Sequence, residues 1–199
     1  MAETKTTNRG ASQRKTIDKW KKKKWFTVFS SKVFGKKPLG EIPSEKPKNL
    51  VGRTFKVTLD VVTGQRTKRD YKITFKINDI QGQNASTTIS NFEVSKSTMG
   101  RNIRRRNSKV SLVKKIPVVN GEAIITVVVV TERKGTNAQK TSIRKIIDEQ
   151  LNSLSGKDFE LLVEELLLSN FSNELFKRSS KVCPIKKVIV SKAIFVGAK

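Results

Sequence analysis

The residues best placed to do chemistry in this chain are Glu132, Arg133 and Lys134. They follow its most hydrophobic run, Ile124-Ile125-Thr126-Val127-Val128-Val129-Val130, which reads as a buried strand. An acidic-x-Lys group at such a strand end is where metal-dependent nucleases place a metal-binding carboxylate. That chemistry also needs a second acid on a neighbouring strand end. The upstream acids are Glu122, Glu93 and Asp79, and Glu122 stands beside a hairpin turn, a full strand away from Glu132. The chain has no histidine, which removes the commonest general base, the usual triads and most transition-metal sites. Its one cysteine, Cys183, excludes an intramolecular disulfide and a multi-cysteine zinc ribbon. With neither imidazole nor partner thiol to activate it, Cys183 reads as a small buried hydrophobe before Pro184. Gly64, Gly82 and Gly121 read as turn glycines rather than as a phosphate-binding loop. The expectation is no catalytic residue, no metal, no cofactor and no small-molecule substrate.

Charge carries the stronger signal. Lys and Arg number 42 against 17 Asp and Glu, a net charge of +25 over 199 residues. Such an excess makes a folded monomer repel itself and points to a polyanionic partner, nucleic acid first and an anionic membrane surface second. No apolar run is long enough to span a bilayer, and the stretch MAETKTTNRGASQRKTIDKW has no apolar segment of a secretory signal. Ala2 stands where myristoylation needs glycine. A cytosolic chain without a membrane partner is expected.

The basic residues cluster. Lys21, Lys22, Lys23 and Lys24 lie between Trp20 and Trp25, whose faces suit stacking on bases. For Trp25 and Phe26, packing against the domain is the preferred expectation. RNIRRRNSK supplies Arg101, Arg104, Arg105, Arg106 and Lys109; on a helix its three consecutive arginines would fan round most of the circumference. The planar guanidinium fork suits bidentate phosphate contact. TERKGTNAQKTSIRKI adds Arg133, Lys134, Lys140, Arg144 and Lys145, and the loop TGQRTKRD adds Arg66, Lys68 and Arg69.

These residues need elements to hold them. Residues 1–16 are polar and basic, and alone cannot bury enough surface to offset the entropy of ordering. Residues 17–49 form a basic-aromatic segment and a connector holding Pro38, Pro43 and Pro47, expected to run extended over the surface. A single α+β domain is expected over 50–194, with a C-terminal tail at 195–199. Phe55, Val57, Leu59 and Val61 alternate with polar residues, as do Tyr71, Ile73, Phe75 and Ile77. With ASTTISNF after the turn at Gln81–Asn84 they read as a three-stranded antiparallel meander. A helix capped by Ser95 is expected through SKSTMGRNIRRR. Asn120-Gly121 signals a hairpin with positive φ at both positions, and Pro117 an edge strand or bulge. Ile143, Ile146, Ile147 and Leu151 mark one helix, and Ser155 to Asp158 a capping box before a second with Phe159, Leu162, Val163, Leu166 and Leu167. A short helix near 173–181 and a last strand, IKKVIVSKAIFV, complete the chain. The architecture expected is a strongly curled, barrel-like antiparallel sheet with helices packed on it.

Read in order, IDKWKKKKWFTVFSSKVFG, LGEIP, LVGRTFKVTLDV, INDIQGQNASTTISNFEVSKSTMGRNIRRRNSKV, TERKGTNAQKTSIRKI and CPIKKVIVSK resemble the S-three-a-e (S-one-e) family of the small ribosomal subunit of archaea and eukaryotes. The resemblance covers about residues 17–192, and the short length is similar to the archaeal form. The sequence departs from the family in having Cys183 where an aromatic is usual and a less acidic hairpin around Asn120-Gly121. The resemblance implies a structural component of the platform, near the rRNA 3′ end and the mRNA exit, in the cytoplasmic ribosome. Its implied partners are small-subunit rRNA, neighbouring platform ribosomal proteins and mRNA near the exit. The loop at 133–145 would then lie against folded RNA. A free-standing architectural nucleic-acid-binding protein is the alternative reading.

Overall fold

The computed structural model describes residues 20–168 and 170–197, so the tail at 1–16 lies outside the described residues. The strands are β1 (Lys24–Phe29), β2 (Pro38–Ser44), β3 (Thr54–Thr58), β4 (Tyr71–Gln81), β5 (Asn84–Val94), β6 (Lys109–Val118), β7 (Gly121–Thr131) and β8 (Ile185–Gly197). The helices are α1 (Leu59–Thr63), α2 (Lys96–Asn102), α3 (Asn137–Asn152), α4 (Phe159–Leu168) and α5 (Phe171–Ser180).

Among the described residues all eight strands join one sheet. β3, β4 and β5 form the expected antiparallel meander. The far edge of β5 is shared by two ladders. Its first residues, Asn84–Ser86, pair in parallel with Thr27–Phe29 of β1, whose other edge carries β2. Its later residues, Asn91–Glu93, pair antiparallel with Lys192–Ile194 of β8, which continues to β7 and β6. The sheet therefore forks at Thr87–Ser90. Thr87 Oγ1 donates to the Phe29 carbonyl at 2.7 Å on the β1 side. In the gap the Glu160 carboxylate accepts the Ile89 N–H at 3.2 Å and the Ser31 hydroxyl.

This overturns the barrel-like expectation. β2, β3 and β6 remain as edges and the sheet is not closed, because the ladders diverge from β5 instead of coming round to meet. The pairing is antiparallel apart from β1 with β5. Residues assigned to a surface connector contribute β2, an edge strand beginning at a proline, as the missing N–H requires. Phe26 and Val28 of β1 share a small core with Leu50, Ile77 and Ala85, which lie beyond the expected boundary at residue 50. At the other terminus β8 extends to Gly197, inside the segment expected to be a tail.

The main core lies between the sheet and α3, α4 and α5. Ile143, Ile147 and Leu151 of α3, Phe159, Leu162, Val163 and Leu166 of α4, and Phe171 and Leu175 of α5 are buried with Phe75, Phe92, Ile125 and Val127. Burial of consecutive residues from Val127 to Thr131 marks β7 as an interior strand. Cys183 is buried among these residues, as expected of a small hydrophobe.

Several local expectations shift. The alternation at 55–61 stops at Thr58. Leu59–Thr63 turn helical, so Leu59 and Val62 point inward while Val61 is 56% exposed. The β6–β7 hairpin forms on the edge that Pro117 indicated, but Val118 pairs with Gly121 and the loop residues are Val119 and Asn120. Lys36 is the one described non-glycine residue with positive φ, so Asn120 does not adopt the expected conformation. Ser155 donates its hydroxyl to the Asn152 carbonyl instead of capping α4. The reciprocal capping box stands at the start of α3, where Thr136 and Gln139 satisfy each other's backbone amides.

Candidate nucleic-acid interface

β6 begins, and β7 and β8 meet, at one end of their ladder: Lys109 pairs with Val130, and Thr131 with Ile185. Three connections converge there. Thr131 is fully buried and ties two of them. Its N–H donates to the Ser108 carbonyl at 3.0 Å, and its Oγ1 accepts the Ser108 N–H at 2.9 Å and donates to the Arg133 carbonyl at 2.6 Å. The Gly135 N–H donates to Ser108 Oγ at 3.1 Å, and the Glu132 N–H to the Pro184 carbonyl at 2.9 Å. Short polar side chains thus fix loops whose long basic side chains remain in water.

The first connection carries the arginine run. α2 ends at Asn102, so Arg104, Arg105 and Arg106 occupy a turn closed by the Asn107 N–H to the Arg104 carbonyl at 3.0 Å. That corrects the expectation of a helical fan; the three guanidinium groups leave a turn together. They line an open hollow of about 570 Å³ with Glu132 and Lys186. Arg104, Arg105, Arg106, Lys109, Arg133, Lys134 and Lys186 are all exposed, and among the described residues Glu132 is the one carboxylate lining the hollow. Lys140, half-buried, and Arg144, exposed, extend the charge along one face of α3, with exposed Lys145 beside them. Lys186 and its neighbour Lys187 were missed, because in IKKVIV the hydrophobic pattern speaks for a strand and gives no hint of which strand end it meets.

A second group adjoins. Arg66 and Lys68 lie in a 3-10 turn between α1 and β4, followed by Arg69. Lys68 and Lys187 line a common hollow with Tyr71 and Thr98, which connects this group to the first. Arg101 pairs with Asp70 at 3.3 Å, so its charge is partly answered within the chain. The Asp60 carboxyl is held below its ordinary 3.8, first by a hydrogen bond from Thr58, with the Arg69 charge a smaller cause. Burial is the main cause that raises the Tyr71 phenol.

The third cluster lies elsewhere. β1 enters the sheet at the β4–β5 turn, where the Thr27 N–H donates to the Gln83 carbonyl at 2.9 Å. Lys21, Lys22, Lys23 and Lys24 are therefore at the opposite end of β5 from α2 and the arginine turn. The Lys23 ammonium sits 3.7 Å from the centroid of the Trp20 ring. Phe26 is buried as expected, but Trp25, on the other face of β1, is 59% exposed. The nuclease geometry fails on the same register. Glu122 pairs opposite Val196 and Glu132 lies beyond Thr131, so ten residues of extended chain separate them by about 34 Å at 3.4 Å per residue.

An open α+β fold whose ordered loops hold many cations and few carboxylates is a scaffold presenting fixed positive charge, not a catalytic cleft. Among the described residues no helix is long and apolar enough to cross a membrane. The sequence profile of the Ribosomal S3Ae family matches residues 11–198, and the chain belongs to that family. It is a ribosomal protein of archaeal type and not an enzyme. Over 177 residues it is 33% identical to the small ribosomal subunit protein eS1 of Desulfurococcus amylolyticus, spanning 88% of this chain and 83% of that one. Identity to eS1 of Methanothermobacter thermautotrophicus is 30% over 185 residues, 92% of this chain and 95% of that protein. With eS1 of Saccharolobus islandicus it is 32% over 177 residues, 88% and 85% of the two chains.

Proposed function

We propose that the chain is a structural constituent of the small ribosomal subunit, docked on its rRNA in the platform near the mRNA exit and the rRNA 3′ end, in the cytoplasm. The relatives' names speak for the subunit, and the family resemblance speaks for the platform, neighbouring proteins and mRNA. The observation that carries RNA binding is the convergence of Arg104, Arg105, Arg106, Arg133, Lys134 and Lys186 around loops tied by Ser108 and Thr131. Preordered loops lose little entropy on docking, so phosphate neutralisation is not spent on ordering the chain. Contacts of this kind read shape and backbone, as folded RNA requires. Arg66, Lys68, Arg69, Arg101 and Lys109 extend the surface. Lys21–Lys24, with Trp20 and Trp25, form a separate RNA contact at the far end of β5.

The test is reconstitution. Purified chain should co-sediment with small subunits through a high-salt wash, and cross-links from Arg104–Arg106 and Arg133–Lys134 should map to one rRNA neighbourhood. Loss of the chain in the wash would leave a free-standing nucleic-acid-binding protein as the better account.

A further inference from the structure

β1 sends Phe26 and Val28 into the small core, so Trp25, Thr27 and Phe29 share its outer face. β5 alternates in the same way: Ala85, Thr87 and Ile89 are buried, while Asn84, Ser86 and Thr88 lie outward. The parallel ladder sets Thr27 beside Asn84 and Phe29 beside Ser86, so the two outer faces form one surface. A hollow of about 740 Å³ opens on it, bounded by β1, β4, β5 and the loop leaving β1. That volume lies within the roughly 300–1,000 Å³ of ordinary ligand sites. Asn78, Gln81 and Asn84 line it with exposed side-chain amides that have no hydrogen-bond partner among the described residues. Half-buried Phe29 supplies an aromatic wall.

Charge is placed unevenly around this hollow. Lys32 and Lys36 line it and are exposed, and among the described residues neither has an ion-pair partner within 4.0 Å. Lys36 holds a left-handed backbone, φ 49°, directly after left-handed Gly35. That conformation strains a lysine, and strained residues gather at binding sites. The exposed run Lys21–Lys24 leads into the same end of the face, where the Thr27 N–H meets the Gln83 carbonyl. Two carboxylates line the hollow, Glu160 and Asp79. Glu160 is committed to the Ile89 N–H and the Ser31 hydroxyl, whereas Asp79 is exposed. Exposed Glu41 of β2 pairs opposite Thr27 on the same face. The lysines outnumber these acids, so the surface attracts a polyanion while keeping one free carboxylate inside the hollow.

We propose that this face binds a single-stranded RNA segment, with one base stacked on Trp25 and a nearby base lodged in the hollow. The proposal rests on the RNA reading above and specifies what the Lys21–Lys24 contact recognises. A duplex keeps its bases stacked, whereas an unpaired strand offers their flat faces and Watson–Crick edges. Trp25 is 59% exposed and stands four residues before Phe29, about 14 Å along β1 at 3.4 Å per residue. Aromatic surface therefore lies at two points on the path of a short strand. Asp79 fixes the orientation. It repels a phosphate, so the RNA backbone follows the lysines and a base edge faces the carboxylate. A carboxylate accepts from the exocyclic amino group of cytosine, while the ring N–H of uracil lies between two carbonyl oxygens. An acidic peptide is disfavoured, since it brings further carboxylates to Asp79 and Glu41 and no flat face to Trp25.

The experiment uses the full chain with fluorescein-labelled cytidine and uridine octamers and a blunt-ended rRNA duplex, followed by anisotropy. In a Trp20→Phe background Trp25 is the one tryptophan of the chain, and unlabelled cytidine octamer should quench its fluorescence. Trp25→Ala should weaken that octamer at least about tenfold, as loss of one stacked base does. Trp25 is exposed, so the variant should fold as the parent does. Lys36→Gly suits the left-handed backbone and removes only the side chain, so the slope of log affinity against log salt should become shallower by about 0.7. The cytidine octamer should bind at least about threefold more tightly than the uridine octamer. Asp79→Asn, which can still accept the Ile80 N–H, should abolish that preference. Affinity for the duplex should change less than about twofold in each variant, because the basic loops at the other end of β5 set it. Unquenched Trp25, unchanged octamer affinity in Trp25→Ala, an unaltered salt slope in Lys36→Gly, equal affinity of the parent for both octamers, or displacement of the octamer by an equal concentration of hexa-glutamate peptide would each overturn the proposal. A chain that binds the duplex but neither octamer overturns it and leaves the basic-loop interface standing. One that binds the cytidine octamer but not the duplex supports it and overturns the basic-loop interface alone.

Discussion

Replacing Arg104, Arg105, Arg106, Arg133 and Lys134 together by Gln should leave the fold intact and strip the chain of most salt-sensitive RNA affinity. All five are exposed, none belongs to the core, and the hydrogen bonds fixing their loops come from backbone groups, Ser108 and Thr131. Each phosphate neutralised contributes about −0.7 to −0.9 to the slope of log affinity against log salt, so five contacts contribute roughly −3.5 to −4.5. A fourfold rise in salt, from about 50 to 200 mM, multiplies affinity losses by about 130 to 500 through those contacts alone. The assay is filter binding of an rRNA fragment across that range for parent and variant, with urea denaturation of both. The parent should lose affinity more steeply by that factor, while the denaturation midpoints stay together. Equal slopes would refute the interface, and a lower denaturation midpoint in the variant than in the parent would show that the arginine turn is structural.

Three further outcomes follow from packing and hydrogen bonding. Ile147→Ala should cost about 2–5 kcal/mol in urea denaturation because Ile147 is fully buried, whereas Ile146, only half-buried, should cost clearly less. Thr131→Val keeps the shape and removes the hydroxyl that serves Ser108 and Arg133, so about 1–3 kcal/mol of stability should be lost, and equal midpoints would count against the tie. The Glu93 carboxyl is held below its ordinary 4.5, first by a hydrogen bond from Lys56 and then by the charges of Lys56, Lys192 and Lys72, against opposing burial. A depressed folded-state value means stability that is present above the ordinary carboxylate range and lost as pH falls through the folded value. Glu93→Gln should therefore flatten the fall in denaturation midpoint between about pH 5 and pH 3, and a parallel curve would remove Glu93 from the account.

What was legible in the sequence is what period and local chemistry encode. The β4–β5 hairpin, the edge position of β6, the stripe on α3 and the chain order of β6, β7 and β8 followed from alternation, Pro117 and spacing. Leu59 and Val61 show the limit: two further apolar residues continued the alternation, yet Leu59 is buried in a helical turn and Val61 faces out. Alternation cannot tell a strand from a short turn that happens to bury one of the same residues. The basic clusters were visible as composition. Their arrangement was not, because it depends on which strand ends coincide. Register sets Ser108 beside Thr131, and only then do residues 104–106 and 133–134 become neighbours. The same register sends Lys21–Lys24 to the other end of β5.

Glu160 shows the same dependence from the acidic side. A forked sheet leaves part of one strand edge without a partner, and a backbone N–H there must find an acceptor or bear the cost of burial. Ile89 lies in that gap, between the span of β5 paired with β1 and the span paired with β8. A carboxylate answers the problem better than a neutral group, since one oxygen takes the Ile89 N–H while the other takes the Ser31 hydroxyl from the segment leaving β1. The partners lie 71 and 129 residues away in the chain, so no local pattern could have joined them. Within its own stretch Glu160 looks like one more acid near the start of a helix, favoured there by the macrodipole. Its position in the fold makes it the bridge between the two ladders. An acid kept at this place in so basic a chain is explained by that vacant strand edge, and surface charge balance does not require it.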